Sequence, residues 1–107
     1  MDIYQIVAQN IKYIRKSLDL TQEEISERAG MTHNFYGQIE RGTKKGSLVT
    51  IKRIADAFNI ETGELFKENL SLLEKDLLMN EINGMLKNRP RNEKKVALKV
   101  LKAIYEK

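Results

Sequence analysis

Few residues in this chain could do chemistry, and their types point to hydrogen bonding rather than bond making. His33 is the single histidine, and the 107 residues contain no cysteine. That removes cysteine nucleophiles, disulfide frameworks and zinc sites built on thiolates or several histidines. Carboxylates are plentiful, but none stands at a catalytic spacing to the histidine or to a glycine-rich loop. No enzyme activity, metal or cofactor is expected. What remains is a polar group, His33, Asn34 and Gln38, in which Asn34 and Gln38 are four residues apart and share one helix face. Amide side chains can hydrogen-bond bidentately, and an imidazole can donate. A stretch rich in cations and hydroxyls follows, with Arg41, Thr43, Lys44 and Lys45. Taken alone, these residues are the polar surface of an ordinary helix and a solvated loop. The elements that hold them decide otherwise.

Those elements are helical. Ile3, Ile6, Val7, Ile11 and Ile14 recur at helical spacing up to Ser17, and Asp19 falls in a short connection. Thr21-Gln22-Glu23-Glu24 is a capping box, and Leu20 and Ile25 are spaced around it as a hydrophobic staple. That helix runs to about Ala29, where Gly30 supplies the left-handed residue of a tight turn. Thr32 caps the next helix, Met31 and Tyr36 repeat the staple spacing, and Arg41-Gly42 ends it after Glu40. Two short helices joined by a three-residue turn with a glycine make a helix-turn-helix. After the loop Thr43-Lys44-Lys45-Gly46, Ser47 caps a helix lined by Leu48, Ile51, Ile54, Ala55 and Phe58 and closed by Asn59. Thr62 begins a short helical turn ending in Leu65-Phe66. The expected core is Ile25, Ala29, Met31, Tyr36, Ile39, Leu48, Ile51, Ile54, Ala55, Phe58, Leu65 and Phe66.

Residues 11–66 resemble the phage-repressor (Cro-like, XRE-type) helix-turn-helix family. The resemblance rests on Arg15, Leu20-Thr21-Gln22-Glu23-Glu24-Ile25, Ala29-Gly30-Met31-Thr32, Tyr36, Gln38-Ile39-Glu40-Arg41-Gly42, Ser47-Leu48, Ile54-Ala55 and Leu65-Phe66. The sequence departs from the usual pattern at Gly46, where proline is common, and at Ser26, where alanine is. The resemblance implies an all-α fold, a five-helix lambda-repressor-like DNA-binding domain usually acting as a dimer in transcriptional control. It places the helix from Thr32 to Glu40 in the major groove of double-stranded DNA. His33, Asn34 and Gln38 are then the base-reading residues. Asn34 and Gln38 would bond adenine N6 and N7, and His33 would donate to guanine, touch a phosphate or make no contact. Gly37 lies between them and adds no side chain, which either allows close approach to the groove or leaves one base unread. Gln22, Thr32, Arg41, Thr43, Lys44 and Lys45 are expected on the DNA backbone, Gln22 at the positive end of its helix. Phe35 either joins them or packs beside the next helix. Arg15 and Glu40 occupy positions that pair in this family, so a partly buried salt bridge between them is expected.

Charge adds nothing to that case. The net charge is +4, yet residues 1–66 hold nine Lys or Arg and nine Asp or Glu, while residues 67–107 hold ten and six. Lys87, Arg89, Arg91, Lys94, Lys95, Lys99 and Lys102 read as a solvated helix face. Leu70, Leu72, Leu73, Leu77, Leu78, Met79, Ile82, Met85 and Leu86 cover more than one stripe, so their helix is buried on two sides or meets a partner. Arg89-Pro90 breaks the pattern, and Val96, Ala97, Val100, Leu101, Ile104 and Tyr105 form a further amphipathic helix. The expected organisation is a helix-turn-helix domain over 1–68 and a helical hairpin over 69–107 that makes a homodimer. The hairpin could instead fold back on its own domain or hold another protein or an effector. The leading function is a sequence-specific DNA-binding regulator, a dimeric repressor. The alternative is an antitoxin-type or adaptor protein whose C-terminal helices bind another protein. No run of 18 apolar residues exists and Met1-Asp2-Ile3-Tyr4-Gln5 does not look like a signal peptide, so no membrane contact and a cytoplasmic location are expected.

Overall fold

In a computed structural model of the chain, which describes residues 1–70, 73 and 76–106, every regular element is helical. They are α1 (Ile3–Ser17), α2 (Gln22–Ala29), α3 (His33–Glu40), α4 (Leu48–Ala57), a short 3-10 helix (Thr62–Phe66), α5 (Leu77–Leu86) and α6 (Arg91–Tyr105). Leu72 lies outside the described residues. None of the described helices is long and apolar enough to cross a membrane.

Local chemistry sets the boundaries. Asp2 and Gln5 form a reciprocal capping box at α1, with the Asp2 carboxylate 2.9 Å from the Gln5 amide. Thr21 and Glu24 do the same at α2, at 3.0 and 3.1 Å. Thr32 accepts from the Phe35 amide at 3.1 Å and Ser47 from that of Thr50 at 3.1 Å. Each such cap satisfies a helix-end donor that has no partner within its own helix. Gly30, at φ 70°, ends α2 and turns the chain into α3. This left-handed conformation costs about 1–2 kcal/mol for a residue carrying a Cβ.

Helices α1 to α4 and the 3-10 helix enclose one core in which Ile11, Ile14, Ile25, Tyr36, Ile54, Phe58 and Leu65 are fully buried. Of the expected core, Met31 and Phe66 are only partly buried, and Leu48 is 73% exposed. Leu48 is the first residue of α4, and burial along its stripe starts one turn later, at Ile51. Apolar periodicity identified the stripe but not where it runs past the edge of the core. Asn10 is a buried polar residue on α1 whose amide donates to the Leu65 carbonyl at 2.9 Å and the Lys67 carbonyl at 2.7 Å. It fastens α1 to the end of the 3-10 helix and satisfies two carbonyls that water does not reach freely.

The core does not stop at residue 68. Leu73 and Leu77 belong to the same apolar cluster, and Leu70 packs against it. Helix α5 is further held by a 2.8 Å ion pair between Glu81 and Arg28 of α2. Gly84 approaches Asn59 so closely that a Cβ there would overlap the asparagine amide. The outer side of α5 leaves Leu78, Met79, Ile82 and Met85 exposed, and α6 buries no residue at all. The radius of gyration is 15.5 Å, against about 13 Å for a compact chain of this length. The excess is what a protruding helix produces.

Candidate nucleic-acid interface

The turn between α2 and α3 presents the first turn of α3 outward. The Gly30 amide bonds the Glu27 carbonyl and the Met31 amide that of Ser26, at 3.1 and 3.0 Å, which closes α2 with a left-handed cap. His33 and Asn34 follow the Thr32 cap and are exposed, and Gln38 stands half-exposed one turn on. The amides of Asn34 and Gln38 make no hydrogen bond within the described chain. Tyr36, Ile39 and Glu40 on the opposite side of α3 are buried. One side of this helix is therefore anchored, and the other offers uncommitted donor and acceptor pairs.

The anchor is a polar chain that crosses three helices. Arg15 of α1 donates to Glu40 of α3 through Nε at 2.9 Å and Nη2 at 2.8 Å, a bidentate pair. The two side chains are 13% and 2% exposed. Arg15 also donates through Nη1 to the Leu20 carbonyl at 2.8 Å, tying in the connection before α2. Gln22 of α2 donates to the same carboxylate at 3.2 Å, and its Oε1 lies 3.3 Å from His33 Nε2, a bond that holds when Nε2 carries the proton. Burial pushes the Glu40 carboxyl up, but the hydrogen bonds from Arg15 and Gln22, with the Tyr36 hydroxyl nearby, outweigh it and hold the group below its ordinary range. The Glu40 hydrogen bond in turn raises Arg15. Burial, reinforced by the neighbouring Glu40 carboxylate, pushes the Tyr36 hydroxyl well above the ordinary tyrosine range, so it stays neutral. Gln22, expected on a phosphate, is thus engaged with α3. It fixes the angle between α2 and α3.

The expected backbone contacts divide into three groups. The Thr43 hydroxyl donates to the Gln38 carbonyl at 3.1 Å, alongside the Thr43 and Lys44 amides at 2.9 and 3.2 Å. Thr43 therefore closes α3, and meeting a phosphate would mean giving up that bond. Lys44 and Lys45 are exposed but held over rings, Lys44 5.9 Å from the Phe35 centroid and Lys45 4.6 Å from that of Tyr4. Phe35 itself packs against the core. Arg41 is exposed like the two lysines, but its side chain turns back along α3. Its guanidinium lies over Gly37, with Nη1 2.9 Å from where a Cβ would stand.

Two features were missed in the sequence. Tyr4 steers Lys45 across some forty residues of separation, and no local spacing signals that contact. Leu48 and Val49, 73% and 67% exposed, form an apolar step right after the basic loop. Their position next to the Ser47 cap was the available signal. At a helix N-terminus an apolar residue need not face the core.

The helix-turn-helix family matches residues 11–65, half of the chain, and the match ends before α5. The immunity repressor protein of Bacillus phage phi105 is 32% identical over 74 residues, 69% of this chain and 51% of that longer protein. Control protein C.SmaI of Serratia marcescens is 32% identical over 65 residues, 61% of this chain and 77% of that one. Among solved structures, the restriction-modification controller protein C.AhdI of Aeromonas hydrophila aligns with a TM-score of 0.57 at 33% identity. That alignment covers 96% of the controller protein but 59% of this chain. With the fold, the Thr21, Gly30 and Thr32 junctions and the Arg15–Glu40 pair in place, the chain belongs to the XRE-type helix-turn-helix family of DNA-binding transcriptional regulators.

Proposed function

We propose that this protein is a dimeric repressor that reads double-stranded DNA with α3 in the major groove. The observation that carries the proposal is the contrast across α3. The buried Arg15–Glu40–Gln22 chain holds one side, and Asn34 and Gln38 stand uncommitted on the other. Uncommitted amides on a helix held in this way suit bidentate bonding to adenine, each good pair discriminating by about 1–3 kcal/mol. Thr32, Lys44 and Lys45 flank that face and supply contacts to the DNA backbone, with Phe35 carrying Lys44. Gln22 and Thr43 act first through the protein, by orienting α2 and closing α3.

The C-terminal helices supply the contact to a second copy. Helix α6 is 15 residues long and buries none of them, while Val96, Val100, Leu101 and Ile104 stand 37–60% exposed, and Leu78, Met79, Ile82 and Met85 of α5 are exposed as well. Apolar surface of this extent on a small protein marks an interface. A like helix from a second copy would cover the stripe and leave Lys94, Lys95, Lys99 and Lys102 in water. An isologous contact of this kind places two α3 helices about a two-fold axis, matched to an inverted repeat.

Selection from a random duplex pool at a fixed salt concentration tests the DNA reading, and sedimentation tests the dimer. Enrichment of a spaced inverted repeat is expected, with a dimer for the full chain and a monomer once residues 89–107 are removed. Salt-sensitive binding with no enriched motif would refute base reading by α3. A shortened chain that stayed dimeric would refute the assignment of α6.

A further inference from the structure

Gly37 has no side chain, yet it is buried within α3. Its cover is Arg41. A Cβ at position 37 would lie 2.9 Å from Nη1 and 3.7 Å from Cζ of Arg41, and 3.5 Å from Oε1 of Gln22. Arg41 stands one turn beyond Gly37 on the same side of α3, and helical side chains lean toward the N-terminus. The guanidinium has therefore folded back over Gly37, next to Gln22. Among the described residues it has no carboxylate partner and no side-chain hydrogen bond, so its fork of donors is intact. Any residue other than glycine at 37 would force the guanidinium to shift.

Lys44 and Lys45, by contrast, are carried outward on the loop, against rings. We infer that Arg41 is a specificity-determining residue that reads a guanine through the gap left by Gly37, rather than a contact to the DNA backbone. The guanidinium fork matches guanine O6 and N7 bidentately, a pairing that neither Asn34 nor Gln38 provides. Recognition by α3 would then combine adenine-type amides with one guanine-type cation, the latter supplied from the C-terminal end of the helix. The inference rests on α3 occupying the major groove.

The test uses the full chain and the duplex enriched by selection, together with duplexes changed at one base pair at a time. All affinities are measured at several salt concentrations. The wild type is expected to discriminate about ten- to a hundredfold at one G·C pair per half-site. Arg41→Ala should erase discrimination at that pair and leave the other positions intact. Arg41→Lys should not restore it, because a lysine keeps the charge but lacks the fork. Gly37→Ala is the decisive companion. Its methyl meets only the flexible end of Arg41 and Gln22, so the fold is kept while the guanidinium is displaced. It should weaken discrimination at the same pair. Uniform weakening of every duplex by Arg41→Ala, with a smaller salt slope and no effect of Gly37→Ala on preference, would overturn the assignment and leave a phosphate contact. A wild type that enriches no motif would instead sink the major-groove reading beneath it.

Discussion

Replacing Glu40 with alanine is the sharpest probe of how the site is held. The carboxylate is 2% exposed and accepts bonds from Arg15 at 2.9 and 2.8 Å and from Gln22 at 3.2 Å. Removing it strands a guanidinium that is 13% exposed and retains only the Leu20 carbonyl, at 2.8 Å. Breaking a buried pair from one side costs about 3–5 kcal/mol, mostly through the charge left behind. The surviving Leu20 bond and the residual solvent contact of Arg15 place this case near the lower end, at about 3 kcal/mol. For a chain of this size that is a drop of about 12 °C or more in melting temperature, taking roughly 4 °C per kcal/mol. Circular dichroism melts at neutral pH would measure it, at one protomer concentration because a dimer's melting point depends on it. Arg15→Met should cost a comparable amount, since it leaves a buried carboxylate. The double variant Arg15→Met with Glu40→Leu should cost less than the sum, because no stranded charge remains. A shift below about 4 °C for Glu40→Ala, or strict additivity in the double variant, would refute the view that this pair clamps α1 to α3.

The same group sets a pH dependence. Its folded pKa lies below the ordinary glutamate range, so the unfolded chain takes up the proton first as the pH falls. The stabilisation is full above that range and drains away as the pH drops through the folded value, and Glu40→Gln should flatten acid denaturation monitored by fluorescence or dichroism. Asn10→Ala strips the Leu65 and Lys67 carbonyls of their donor, and urea melts should show a loss of about 1–3 kcal/mol. Thr32→Ala removes the cap on the Phe35 amide. It should cost about 1 kcal/mol in the same melts, with Thr32→Ser restoring most of it. Gly30→Ala meets nothing within 4 Å but must hold φ 70°. It should cost about 1–2 kcal/mol through backbone strain alone.

The framework was legible because its signals are local. Thr21 with Glu24, Gly30 and Thr32 each act within four residues, so a linear reading finds the boundaries of α2 and α3 and places Asn34 and Gln38 outward. The Arg15–Glu40 pair spans 25 residues and became legible only through the family pattern. Contacts with neither signal stayed hidden. Nothing near Asn10 marks it as the donor to carbonyls 55 and 57 residues away. The direction of Arg41 was also invisible. A cation after a recognition helix reads as a loop charge until the empty side of Gly37 is seen beneath it.

The C-terminal helices show a different limit. An apolar stripe repeating at helical spacing says that a face is to be covered, but it carries no information about what covers it. Leu77 of α5 reaches the common core and is 3% exposed, whereas Leu78 beside it is 65% exposed. One helix thus meets its own domain on one side and is left exposed on the other among the described residues. That two-sidedness is why Leu77, Leu78, Met79, Ile82, Met85 and Leu86 overfilled a single stripe. Helix α6 has one stripe, and none of its residues is fully buried among the described residues. The Arg28–Glu81 pair and the Gly84–Asn59 contact tie α5 to the core, so a second copy seated on α5 and α6 would bear on the spacing between reading helices. Specificity would then have two sources. The side chains of α3 would choose the half-site, and the tie of α5 to Arg28 of α2 would bear on the distance to the next one.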